Sequence, residues 1–207
     1  MEDSKHGSKL SNLGIQDFLS IGYLFLLVLG VVHETIYYKF IGINILDYSS
    51  VLDVLISPIA VITGNLILGL AVLFSIVMAY VVVKITPKYY KWLSKKKKYQ
   101  SGKNKIKLEK AQVKINAKDA VITMIAFYVF SIFIGLGIGS GHKTKKRIIS
   151  NDYKITHQLT FEDGFTQDIK MLGKNSLYVF YVLKDDSEVI IAPIDGNIKM
   201  IKNLEKL

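Results

Sequence analysis

The residues best suited to chemistry are four histidines, His6, His33, His142 and His157, and the acids near them. Only His33 has a carboxylate beside it, Glu34. An imidazole with a carboxylate is the raw material of a general base or a metal site. Successive residues on a helix project ~100° apart, so the pair is poorly placed to chelate together. The expectation is a structural role where an apolar segment meets water. Glu162-Asp163 and Asp185-Asp186 are also neighbouring acids. They fall beside turn residues, and adjacent strand residues point to opposite faces, so they read as solvated turns. The chain has no cysteine, which excludes thiolate catalysis, disulfides and cysteine-based zinc or iron–sulfur sites. No glycine-rich phosphate loop carries a lysine, and no Ser-His-Asp order stands out. The reading is therefore not an enzyme, with no catalytic residue, cofactor or metal.

The elements that would position these groups are apolar. Segments at about 15–38, 59–83 and 120–139 are each long enough to cross ~30 Å of hydrocarbon as a helix. The first has no small-residue cleavage site after Val31-Val32-His33-Glu34, so it reads as a retained span and not as a removed signal. The expected fold is an α-helical integral membrane protein of three spans, followed by a small antiparallel β domain. Residues 1–14 are expected to be a mobile terminus, 15–141 the transmembrane domain and 148–207 the β-rich domain. Ser49 or Ser50 suits a helix N-cap with Asp53 in the first turn. The helix they begin is too short to span and meets Pro58, which predicts an interfacial or re-entrant segment with a kink or restart there.

Small residues mark the helix-packing faces. Gly64, Ala71, Ser75 and Ala79 share nearly one face of the second span, and Gly135 and Gly139 lie at the end of the third. Small residues at this spacing let helices approach closely in lipid. The glycine run 135–141 reads mainly as a frayed helix end, since each glycine costs about 1 kcal/mol in a helix. Asn65 is the one strongly polar side chain inside the second span, suited to an interhelical hydrogen bond or to a wet lumen.

The net charge of +10 is carried by lysine; Arg147 is the sole arginine. Residues 84–118 form a basic loop of thirteen lysines and one acid, Glu109, with Lys95, Lys96, Lys97 and Lys98 its densest part. The positive-inside rule places this loop and the N-terminus in the cytoplasm of a bacterial inner membrane, and the β domain outside. The basic flank 143–147 argues the other way but is outweighed. The loop suits anionic lipid headgroups, an acidic protein or nucleic acid.

After residue 148 the pattern changes to alternation. Tyr153, Ile155, Leu159 and Phe161 interleave with polar residues, Asp163-Gly164 and Asp195-Gly196 are turn signals, and Leu177–Leu183 is a strong buried strand. About sixty residues without disulfides predict a meander of four or five strands that leans on a neighbour.

Phe40-Ile41-Gly42-Ile43-Asn44-Ile45-Leu46-Asp47-Tyr48, with Leu52-Asp53 and the later Leu172–Phe180 run, resembles parts of small bacterial multi-pass membrane proteins with a β-rich C-terminal tail. In size and span layout the chain is similar to membrane components of antiphage systems, such as the Kiwa membrane component and the membrane partners of type VI CRISPR effectors. The small-residue face and the one-sided lysine loop lead to the expectation of a self-associating inner-membrane protein, a sensor or accessory in stress or phage defence in its concrete version; the resemblance carries over no residue's role. The sequence also admits an oligomeric pore, or a membrane anchor that recruits nucleic acid or an acidic protein through its lysine loop.

Overall fold

The computed structural model of the protein describes residues 14–64, 66–114 and 117–204. The expected mobile terminus lies outside the described residues except for Gly14, and Asn65 lies outside them too. The helices are α1 (Ile15–Phe40), α2 (Val51–Gly64), α3 (Leu66–Ser94), α4 (Gly102–Lys114) and α5 (Ala117–Ile149). Five strands follow: β1 (His157–Phe161), β2 (Thr166–Lys174), β3 (Tyr178–Leu183), β4 (Ile190–Pro193) and β5 (Ile198–Asn203). Three stretches, Ile15–Phe40, Leu68–Ser94 and Ile122–Ile149, are long and apolar enough to cross a membrane. The described residues form two compact units, 61–131 with the chain up to Gly22, and 23–60 with 132–207.

In the first unit, the basic segment is largely helical. α3 runs on through Lys84–Ser94, a 3-10 turn covers Lys97–Tyr99, and α4 takes up most of the rest. Pro58, where the sequence suggested a kink or restart, sits inside α2, which continues through it to Gly64. A Cβ on Gly69 would lie 3.3 Å from the Ile62 carbonyl. Ile62 and Gly69 thus lie closer together than seven residues of straight helix would hold them.

In the second unit, α1 and α5 pack through glycine. A Cβ on Gly137 would lie 3.1 Å from the Ile36 side chain and 3.2 Å from the His33 carbonyl. One on Gly141 would lie 3.0 Å from the Tyr37 carbonyl. Phe133, one turn earlier, is fully buried. These residues recur every four positions and form one face of α5. The glycine run is therefore helix interior and not a frayed end. Close packing of α1 offsets its poor propensity. The basic flank 143–147 belongs to the last turns of the same helix. That helix is closed by Asn151 at φ 52 and by amides 150, 151 and 152 donating to the carbonyls of Lys146, Ile148 and Arg147.

The strands form one antiparallel sheet in the order β4-β3-β2-β1-β5. Gly164 (φ +85) and Gly196 (φ +66) turn the chain at the two Asp-Gly signals. β3 is buried on both faces, which explains its uninterrupted apolar run. On one face Val179 and Tyr181 join Leu159, Ile169, Ala192 and Ile198 in a core made of the sheet's own residues. On the other, Phe180 and Val182 meet Tyr38, Ile41, Ile43, Ile45 and Ile148. The neighbour that the small sheet leans on is thus the end of α1, the loop after it and the end of α5.

Candidate functional site

The densest set of long-range polar contacts joins the β2–β3 turn to the start of α2. Ser50 caps α2: its Oγ accepts from the Asp53 amide (3.1 Å), while Asp53 Oδ2 accepts from the Ser50 amide (3.0 Å) and hydroxyl (2.6 Å). The same carboxylate receives the Ser176 amide on Oδ1 (3.0 Å) and the Ser176 hydroxyl on Oδ2 (2.9 Å). Asn175 braces the turn from inside, accepting from the Leu177 and Tyr178 amides at 3.0 and 2.8 Å. Its Nδ2 donates outward to the Tyr48 carbonyl (2.9 Å) and Ser49 Oγ (3.3 Å). One carboxylate thus serves a helix cap and a sheet turn at once.

A second tie lies at the β2 bulge. Met171 pairs with Tyr181 and Gly173 with Phe180, which leaves Leu172 out of the ladder. Its carbonyl accepts from the Tyr37 hydroxyl at 3.0 Å. Gly173 lies directly under the Tyr38 hydroxyl, where any Cβ would collide. The Tyr38 ring meets Phe180 at a centroid distance of 4.9 Å. Tyr37 and Tyr38 are the pins of this joint.

Burial raises the pKa of Asp53, but the hydrogen bonds from Ser50 and Ser176 outweigh it and hold the carboxyl below its ordinary value. A lowered native pKa means that the unfolded chain binds more protons between the two values, so this stability is present above ~pH 3.9 and is lost as pH falls through the native pKa. Asp53→Asn keeps the shape but removes the charge and one acceptor. We expect it to destabilise the second unit by about 1–3 kcal/mol at pH 7. In thermal unfolding of detergent-solubilised protein the gap to wild type should close on acidification below the ordinary carboxylate range.

His33 and Glu34 sit on α1 closer together than helical geometry suggested, with Nδ1 and Oε1 3.6 Å apart. Glu34 also accepts a hydrogen bond from Ser57 of α2. The His33 ring is buried and packs edge-on to Phe133 at 5.8 Å. Its Nδ1 has no hydrogen-bond partner among the described residues. Among those residues no three of His, Cys, Asp or Glu gather at metal-binding distance. Ser57 is the member that sequence reading missed; its place one residue before Pro58 gave no sign of it.

The helix-packing residues separate. Gly64 is exposed, and Ala71, Ser75 and Ala79 are half-buried. Ser75 Oγ donates to the Ala71 carbonyl at 2.8 Å, so its hydroxyl is satisfied within its own helix. In the second unit Gly135 and Gly139 face open space, whereas the α1-packing positions are Gly137 and Gly141. Lys95, Lys96, Lys97 and Lys98 are all exposed, and Lys96 Nζ lies 3.8 Å over the Trp92 ring.

No family model matches the chain, and no curated protein or solved structure matches it.

Proposed function

We propose that this chain is a non-enzymatic, multi-pass bacterial inner-membrane protein that self-associates and acts as a sensor or accessory component, in stress or phage defence. In this reading the sheet stands outside the membrane, and Lys95–Lys98 meet anionic lipid or a cytoplasmic partner on the inner side. The supporting observation is the joint between the sheet and the helix ends, formed by Asp53, Asn175, Ser176, Tyr37, Tyr38 and Phe180. A surface module tied at several points to two helices passes a displacement to them, where one on a free linker would not. Gly135 and Gly139 offer an open small-residue face on α5 through which a second copy approaches.

The natural absence of cysteine makes any introduced cysteine unique. Single cysteines at Gly135 and Gly139 are expected to form disulfide-linked dimers in native membranes, and one at Asp163 to react with an impermeant maleimide from outside the cell. Gly135→Leu with Gly139→Leu should lower the dimer fraction of the otherwise tagged chain several-fold. Only monomer at every position, or labelling of Asp163→Cys solely after lysis, would refute the reading.

A further inference from the structure

A cleft of about 190 Å³ opens in the second unit, walled by the last turns of α5, the end of α1 and the middle of β2. Thr144, Arg147 and Ile148 line it from α5, Tyr37 from α1, and Lys170 with Met171 from β2. Its polar groups are unequal. The Tyr37 hydroxyl donates to the Leu172 carbonyl and is itself hydrogen-bonded by Thr144. Tyr153, at the rim, gives its proton to the Leu183 and Asp186 carbonyls at 2.6 and 2.7 Å. These hydroxyls are therefore committed to the frame. The donors left over are the guanidinium of Arg147 and the ammonium of Lys170. Among the described residues neither has a carboxylate within ion-pairing distance. Nor is Arg147 needed to cap α5, whose final carbonyls are met by backbone amides. Asp186, the acid nearest Tyr153 by these contacts, has its carboxylate engaged by the Glu188 amide at 3.0 Å.

We propose that this cleft binds a phosphate group through Arg147 and Lys170. The only arginine of the chain stands here, and its planar fork matches two phosphate oxygens where a lysine supplies a point charge. Depth argues that the phosphate is carried by an anionic phospholipid. Thr144 and Arg147 lie about 5–9 Å along the helix axis beyond Gly141, where the uncharged run of α5 gives way to His142-Lys143. That is the thickness of the headgroup layer outside the hydrocarbon. Ile148, Met171 and Leu172 give the wall an apolar part against which a glycerol backbone rests. The site is separate from Lys95–Lys98, and it depends on the chain lying in a membrane but not on its self-association.

The test uses full-length protein in phosphatidylcholine nanodiscs doped with phosphatidylglycerol, with bound lipid counted by native mass spectrometry after release into mild detergent. In a second arm inorganic phosphate replaces phosphatidylglycerol. Wild type should retain phosphatidylglycerol. Arg147→Gln and Lys170→Gln should each weaken retention roughly tenfold, as expected for one lost charge-assisted contact. Arg147→Lys should recover part of it. The fourfold change of Lys95–Lys98 to glutamine should leave retention at this site unaltered. Phosphate binding with the same dependence on Arg147 and Lys170, in the absence of phosphatidylglycerol retention, would support the phosphate site and make its source a free anion. Equal retention of both ligands by wild type and the two glutamine variants would overturn the proposal. Far-ultraviolet circular dichroism of each variant separates loss of the site from loss of the sheet.

Discussion

Replacing Gly30 by leucine should separate α1 from α2 and lower the stability of the second unit by about 3 kcal/mol, the upper end for overpacking a close contact. The cause is a pairing of glycine with proline. Pro58 has no amide hydrogen, so the Val54 carbonyl four residues earlier lacks its usual helical donor. Gly30 presses its α-carbon against that carbonyl, and a Cβ there would lie inside the oxygen's van der Waals shell. A Cα–H group is a weak donor that partly satisfies the freed oxygen. Backbone cannot rotate away as a side chain can, so the clash is resolved only by moving the helix. Gly22→Leu is the control: nothing lies within 4 Å of a Cβ at Gly22. It should be neutral or slightly stabilising, because leucine is the better helix former. Thermal unfolding in one detergent compares the two. Equal effects would show that the Gly30 contact contributes nothing.

Phe180→Ala is expected to cost about 3–5 kcal/mol and to release the sheet from the helix ends. Phe180 is fully buried and meets Tyr38 and Tyr48 at centroid distances of 4.9 and 6.2 Å. It belongs to the core shared with Ile41, Ile43, Ile45 and Ile148, not to the one the sheet makes for itself. A sheet of this size has only a few kcal/mol in hand, so losing the shared core should open its backbone amides to exchange and its loops to protease. Phe165→Ala, at an exposed position on the β1–β2 turn, should change stability by less than ~1 kcal/mol. Protection from proteolysis that is unchanged in Phe180→Ala would mean that the second core suffices alone.

The apolar helices, the strand pattern and both Asp-Gly turns were legible because each is written as local periodicity. The Ser50–Asp53 cap was legible for the same reason, since both partners lie within one turn. What sequence could not show was that Asp53 also receives Ser176, because those residues meet only after the sheet has formed. The glycine run 135–141 misled because propensity was the only visible term. The α1 surface that rewards Gly137 and Gly141 lies a hundred residues away in the chain. Pro58 suggested a kink or restart; α2 does not restart there, and the carbonyl that the proline frees meets Gly30. At Gly135 and Gly139 the structure leaves the expected face open, and within the chain it fills the neighbouring pair instead.

The sheet order leaves β4 and β5 as its two edges, each with a row of unpaired backbone groups that could template a further strand. Both edges are poor templates. β4 is four residues long and ends in Pro193, which has no amide to offer. β5 carries exposed Lys199 and Lys202, charges that would lie against their own copies in any edge-to-edge ribbon. A domain kept near the two-dimensional crowd of a membrane surface meets other copies at high local concentration, where open edges lead to runaway polymerisation. In the self-associating membrane protein proposed above, blunted edges would let copies meet through their helices while the sheets stay separate.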